Sequence, residues 1–227
     1  MKQWMIKSNR ADLSKIAARY KISEILAEVL VKRGLYDWEA MDAYLYPSMD
    51  KLHDVHAIYD LDHAVSIIRN KIENNQKIQV IGDYDVDGVM STSILVKGLR
   101  KLGAEVSWRV PHRERDGYGV RDYMAREAFE QDVDTIITCD NGISAVDAVA
   151  CAKELGMTVI VTDHHDVPLD NETGQELLPP ADAVVDLKRK DNMYPWRELC
   201  GAAVAYRLIE ALFEGREESA FLDELLS

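Results

Sequence analysis

From residue 77 onward, short apolar runs alternate with longer amphipathic stretches, and the apolar runs end in carboxylates. Ile78 to Ile81 gives way to Gly82-Asp83, Thr135 to Cys139 runs into Asp140, and Met157 to Thr162 runs into Asp163. Val106 to Val110, stopped by Pro111, and Ala183 to Asp186 are further runs of the same kind. Between and after them, Val89 to Leu102, Arg121 to Gln131, Ser144 to Leu155 and Gly201 to Phe213 carry helical spacing. Strands alternating with helices of this length imply βαβ units. The expected fold is therefore α/β, a Rossmann-like parallel sheet flanked by helices.

The first third reads differently. Ser14 to Val31 has a period near 3.6 that breaks near Lys21, Asp37 suits the cap of a second short helix, and Asp60 to Glu73 repeats the pattern. The expected organisation is a helical lead-in over 1–74, packing on an α/β domain over 75–227.

The chain has 227 residues, with 27 Lys+Arg against 40 Asp+Glu and a net charge of −13. An apolar fraction of 47% excludes a disordered chain, and the acidity argues against a general nucleic-acid coat without excluding a local basic groove. No apolar run is long enough for a membrane helix, and the N-terminus has no secretory pattern. Cys139, Cys151 and Cys200 are odd in number and unpatterned, which suits a reducing, cytoplasmic setting.

In an open parallel sheet, ligands bind beyond the carboxyl ends of the strands. The segments GDYDVDG (82–88), CDNG (139–142) and DHHD (163–166) are thus expected to converge. Carboxylates crowded together repel unless a counter-charge is present, and oxygen and imidazole donors suit Mn²⁺ or Mg²⁺ and would accept Zn²⁺. Two such ions about 3.5–4 Å apart can activate a water and hold a leaving oxygen. A calcium loop is the bland alternative for DxDxDG, but the Glu it requires at position 12 would fall on Ile94.

These residues resemble the DHH phosphoesterase superfamily, and within it the RecJ family of single-strand DNA exonucleases. GDYDVDG, RVPHRERDGYG (109–119), TCDNGI (138–143), VTDHH (161–165) and CGAAVAY (200–206) follow that family's motif order. The resemblance implies a Mn²⁺- or Mg²⁺-dependent hydrolase that digests single-stranded DNA from the 5′ end in repair and recombination. It implies Asp83, Asp85, Asp140 and His164 as ligands of two ions, with Asp140 bridging. Asp87 would ligate or brace them, Asp163 would orient an imidazole, and His165 would face the scissile phosphate. Arg109, Arg113, Arg115, Gly117, Tyr118 and Gly119 form the expected substrate-contacting loop, where arginines would grip phosphates and a tyrosine would stack a base. A single-strand-binding protein or a helicase is the implied partner class, and no membrane contact is implied.

Two positions depart from the family pattern: Ala203 stands where glycine is expected, and Asp186-Leu187 where Asn-Pro is common. The family's members are much longer, so the chain is expected to be an N-terminal fragment lacking a further aspartate ligand and inactive alone. Alternatives in the superfamily are an oligoribonuclease, a cyclic-dinucleotide phosphodiesterase or a pyrophosphatase, which carry a histidine before the first Asp-x-Asp. Here that lead-in is Val80-Ile81-Gly82. A non-catalytic replication scaffold is the alternative from a different class. His53, His56 and His63, the four tryptophans and the run Lys188-Arg189-Lys190 are expected to serve packing or solvation.

Overall fold

The computed structural model describes residues 11–117, 119–215 and 219–225. They fall into two compact units divided at Leu52/His53. The first holds three short helices, α1 (Leu13–Tyr20), α2 (Glu24–Lys32) and α3 (Trp38–Leu45). The break near Lys21 is a residue in the left-handed conformation (φ 54°) that ends α1. Asp37 caps α3 as expected, accepting from the Ala40 amide at 2.7 Å. Ile16, Tyr20, Ala27, Val31 and Met41 form this unit's own core.

The second unit contains α4 (Leu61–Glu73), β1 (Ile78–Ile81), α5 (Val86–Lys101), β2 (Val106–Arg109) and α6 (Asp122–Glu130). It continues with β3 (Thr135–Cys139), α7 (Val146–Glu154), β4 (Thr158–Asp163), β5 (Ala183–Asp186), α8 (Gly201–Phe213) and α9 (Ser219–Leu225). The five strands are all parallel, in the order β2-β1-β3-β4-β5. β1, β3 and β5 are buried along their whole length, as strands covered on both faces must be. β2, at one edge, is half exposed.

The helices divide between the faces as the apolar pattern demands. Side chains of α4, α5 and α8 share one core with Val80, Ile137, Ile160 and Val185, while α6 and α7 share the other with Ile81, Ile136, Val161 and Val184. The alternation of these strand residues follows from the two-residue period of a strand. α5 and α8 pack closely because Gly98 has no Cβ, which would fall 2.6 Å from Ile209 Cδ1. The unit boundary differs from the expected 74/75: α4 belongs with the sheet, because Leu61, Ala64, Val65 and Ile68 point into the core shared with β5 and α8. No helix among the described residues is long and apolar enough to cross a membrane.

Candidate metal centre

The strand order reverses direction between β1 and β3, the topological switch point where open α/β sheets bind ligands. β1 leaves through Gly82-Asp83. Here glycine is required, since a Cβ on Gly82 would collide with Thr92 Oγ1 and one on Gly88 would lie 2.5 Å from the Asp83 carbonyl oxygen. The first turn of α5 is thereby pressed against the strand exit. Asp85 caps that helix, its Oδ1 accepting from the Gly88 amide at 2.9 Å. Asp83 is almost fully buried, and burial pushes its carboxyl above the usual range. Its Oδ1 has no hydrogen-bond partner among the described residues.

β3 leaves through Asp140, whose backbone is left-handed (φ 59°), a strained conformation for a non-glycine residue and one typical of functional sites. Burial, with Asp87 and Asp85 adding repulsion, lifts its carboxyl to about 6, against the opposing hydrogen bond from His164. Asp140 Oδ1 lies 3.0 Å from His164 Nε2, and that carboxylate in turn raises the His164 pKa. A Cβ on Gly201 would lie 2.6 Å from the same oxygen, so the N-terminus of α8 must begin with glycine.

β4 ends in Asp163, which is fully buried and fully engaged. Its Oδ2 accepts from the Ile143 amide at 3.0 Å, and its Oδ1 from the His164 amide at 2.7 Å and the His165 amide at 3.3 Å. Asp163 Oδ1 also sits 2.7 Å from His165 Nδ1, and this contact lifts the His165 pKa to about 9.

One oxygen each from Asp83, Asp85 and Asp140 lies within 4.8 Å of the others, and so do donor atoms of Asp140, His164 and His165. The two triads share Asp140. With the orphaned Asp83 oxygen, this all-oxygen and imidazole donor set fits divalent Mn²⁺ or Mg²⁺. These residues would hold divalent cations at the switch point, and Asp140 belongs to both groups.

The other expected residues are more dispersed. Asp87 turns toward α8: its Oδ2 and Oδ1 accept from the Gly201 and Ala202 amides, each at 2.7 Å. It remains 3.5 Å from His164 Nε2. Arg113 lies with its guanidinium 5.4 Å from the Tyr84 ring centre, beside the β1 exit. Arg109 instead pairs with Glu127 and covers Tyr123. Arg115 is exposed, Gly117 and Gly119 have positive φ, and Tyr118 lies outside the described residues.

Several residues escaped the sequence reading. Asp186, at the end of β5, is fully buried, and its Oδ2 has no partner among the described residues. Burial and the neighbouring Asp163 push it up to about 7. A carboxylate at a strand end was the signal, and β5 carried it as plainly as β3. Lys188 lines a cleft of about 390 Å³ with His164, His165 and Cys200, and Arg189 is buried against Asp60 and Asp191. Lys188 and Arg189 of that turn are therefore engaged, while Lys190 is exposed. His56 is held between Asp62 and Glu214, and Trp108 and Trp196 are exposed rather than packed.

The profile described as "DHH family, N-terminal domain" matches residues 77–227. The single-stranded-DNA-specific exonuclease RecJ of Bacillus subtilis is 37% identical over 211 residues, covering 92% of this chain and 26% of that relative. RecJ of Haemophilus influenzae is 40% identical over 156 residues, covering 68% of this chain and 26% of its own length. Among solved structures, exonuclease RecJ bound to manganese superposes with a TM-score of 0.65 at 33% identity, covering 76% of this chain and 43% of that one. RecJ from Thermus thermophilus in complex with Mn²⁺ gives 0.67 at 27% identity, covering 96% and 30%. The chain thus spans about a quarter of the length of the curated relatives it matches. With the parallel sheet, the switch-point carboxylates and the Asp163-His164-His165 strand end in place, this chain belongs to the DHH family.

Proposed function

We propose that this chain is the metal-holding N-terminal part of a 5′→3′ exonuclease that hydrolyses phosphodiesters of single-stranded DNA. The observation that carries the reading is that two groups of potential donors, Asp83-Asp85-Asp140 and Asp140-His164-His165, share Asp140 at the switch point. The RecJ relatives, named for activity on single-stranded DNA, supply the substrate class.

Asp83, Asp85, Asp140 and His164 would hold two Mn²⁺ or Mg²⁺ ions. A bound pair of this kind supplies Lewis acidity and an activated water. The chain's own residues do the rest. Asp163 holds His165 through Nδ1, which would leave the Nε2 edge for the substrate. Asp163 raises the His165 pKa, which favours the protonated ring and suits it to hold a phosphate oxygen or give a proton to the leaving one. Asp87 sets the position of α8 against α5 rather than meeting substrate. Arg113, with Arg115, Gly117, Tyr118 and Gly119, would contact the strand, and Arg109 would brace that segment through Glu127. A single-strand-binding protein or a helicase is the partner class that would present such a strand, in the cytoplasm. The clustering of Asp83, Asp85, Asp140 and His164 favours an enzyme over a non-catalytic scaffold.

The test pairs Mn²⁺ calorimetry on this chain with digestion of 5′-labelled single strands by the longer protein. Asp140→Ala is expected to remove most metal binding and all hydrolysis, since both triads lose their common member. An active Asp140→Ala enzyme overturns the assignment. Hydrolysis of dinucleotides or pyrophosphate in preference to single strands favours another branch of the family.

A further inference from the structure

Beside the acidic strand ends lies a groove of about 310 Å³ that the proposed chemistry does not use. It runs between α5 and the edge strand β2, and Val89, Val96, Lys97, Arg100, Trp108 and Val110 line it. Trp108 is 58% exposed. In the β1–β2 register it faces Val80, one residue before the end of β1, so it stands at the same end of the sheet as the Asp83 exit. Val106, two residues earlier on the same face, is buried in the core with α5, which places the indole over that helix. Val89 is in the first turn of α5, four residues after the capping Asp85, and so lies at that same end, while Arg100 in the last turn of α5 marks the other.

The charge of this groove is opposite to that of the chain. The protein carries a net charge of −13, yet among the described residues the charged side chains lining the groove are cations. Lys97 is exposed and makes no salt bridge among the described residues. Arg100 is exposed and tethered by its Nη2, which donates to the Val106 carbonyl at 3.1 Å. An exposed indole beside two lysine or arginine head groups is an arrangement suited to unpaired nucleotides: the ring takes a base on its π-face and the cations take phosphates. An apolar protein segment would be served by the valines and the indole and would leave both cations without a role.

We infer that the α5–β2 groove is a nucleotide-stacking subsite, in which Trp108 stacks a base of the single strand and Lys97 and Arg100 hold the flanking phosphates. This rests on the single-strand reading above and adds a subsite to it: the strand would run from the carboxylates across the first turn of α5 to the edge of the sheet. Stacking is indifferent to base identity, as suits an enzyme that must degrade any sequence.

The test is fluorescence anisotropy on the full chain with a fluorescein-labelled oligothymidylate and its abasic counterpart, in EDTA so that neither ion binding nor hydrolysis enters. Trp108→Ala is expected to weaken oligothymidylate binding at least about tenfold and to leave the abasic strand unchanged, while Trp108→Phe keeps most of the affinity. Lys97→Ala and Arg100→Ala are expected to weaken both strands. Each should lower the slope of log K against log salt by about 0.7. A 5-iododeoxyuridine strand should photo-crosslink to the peptide containing Trp108. No binding of oligothymidylate by the unaltered chain, equal affinity for it after Trp108→Ala, or equal losses on both strands overturns the subsite. Because these readouts need no metal, their failure leaves the Asp140→Ala result standing, and failure of the metal centre leaves them standing.

Discussion

Asp163 and Asp83 are both buried at strand ends of one sheet, and they are built in opposite ways. Asp163 accepts from three backbone amides and contacts the His165 ring, so both of its oxygens are engaged. Among the described residues Asp83 leaves Oδ1 without a partner, and Asp186 leaves Oδ2 so. A buried carboxylate oxygen with no donor is costly and survives only where something outside the list of amides compensates it. Asp163 therefore holds the frame, and the orphaned oxygen of Asp83, grouped with Asp85 and Asp140, marks a place suited to positive charge. Asp87 falls on the frame side with Asp163, although the spacing of DxDxDG groups it with Asp83 and Asp85.

The sharpest way to break that division is Asp163→Ala. It strands the Ile143 and His164 amides and frees the His165 ring. It should lower stability by roughly 3 kcal/mol and activity of the longer protein about 100-fold, read by thermal melting and strand digestion. Asp87→Ala comes next. It removes the acceptors at the start of α8 and should cost about 2 kcal/mol, a fall in Tm of roughly 4–8 °C, with Mn²⁺ stoichiometry unchanged. A loss of one ion with no change in Tm would move Asp87 to the ligand side.

Asp186→Asn should do the reverse and stabilise the metal-free chain. The folded state raises this carboxyl to about 7, so it binds the proton more tightly than the unfolded chain does. Stability from this group is lost as pH rises from about 4 toward 7. Asparagine should therefore add roughly 2 kcal/mol at pH 7.5 and nothing at pH 4. The smallest effect expected is on metal uptake. Protons compete for Asp140 below about 6, so Mn²⁺ affinity should fall about tenfold between pH 7 and pH 5. Affinity that is flat over that range would remove Asp140 from the shared position.

Much of this was legible in the residues alone. β1, β3 and β5 begin and end where the apolar runs do, because strands buried on both faces need unbroken apolar character. The convergence of Asp83, Asp140 and His164 follows from strand ends sharing one edge of a parallel sheet. Less visible was the start of α5, which begins at Val86 and not Val89 because Asp85 caps it. Its acidic first turn hides the helical period. The division between holding and orphaned carboxylates was not legible, since it depends on where the amides of Ile143, Gly201 and Ala202 point. Trp108 also resisted: an indole in a strand reads as core unless the strand is known to lie at the edge.

The contacts of Asp87 have a consequence for the order in which the protein takes shape. The amides it binds lie 114 and 115 residues further along the chain. During synthesis, β1 and the first turn of α5 emerge long before their partner, and the centre cannot acquire its final geometry until α8 has docked. Such a long closure is slow and late compared with local helix formation. The acidic cluster thus spends its early life open, and its completion reports that the rest of the sheet has already assembled.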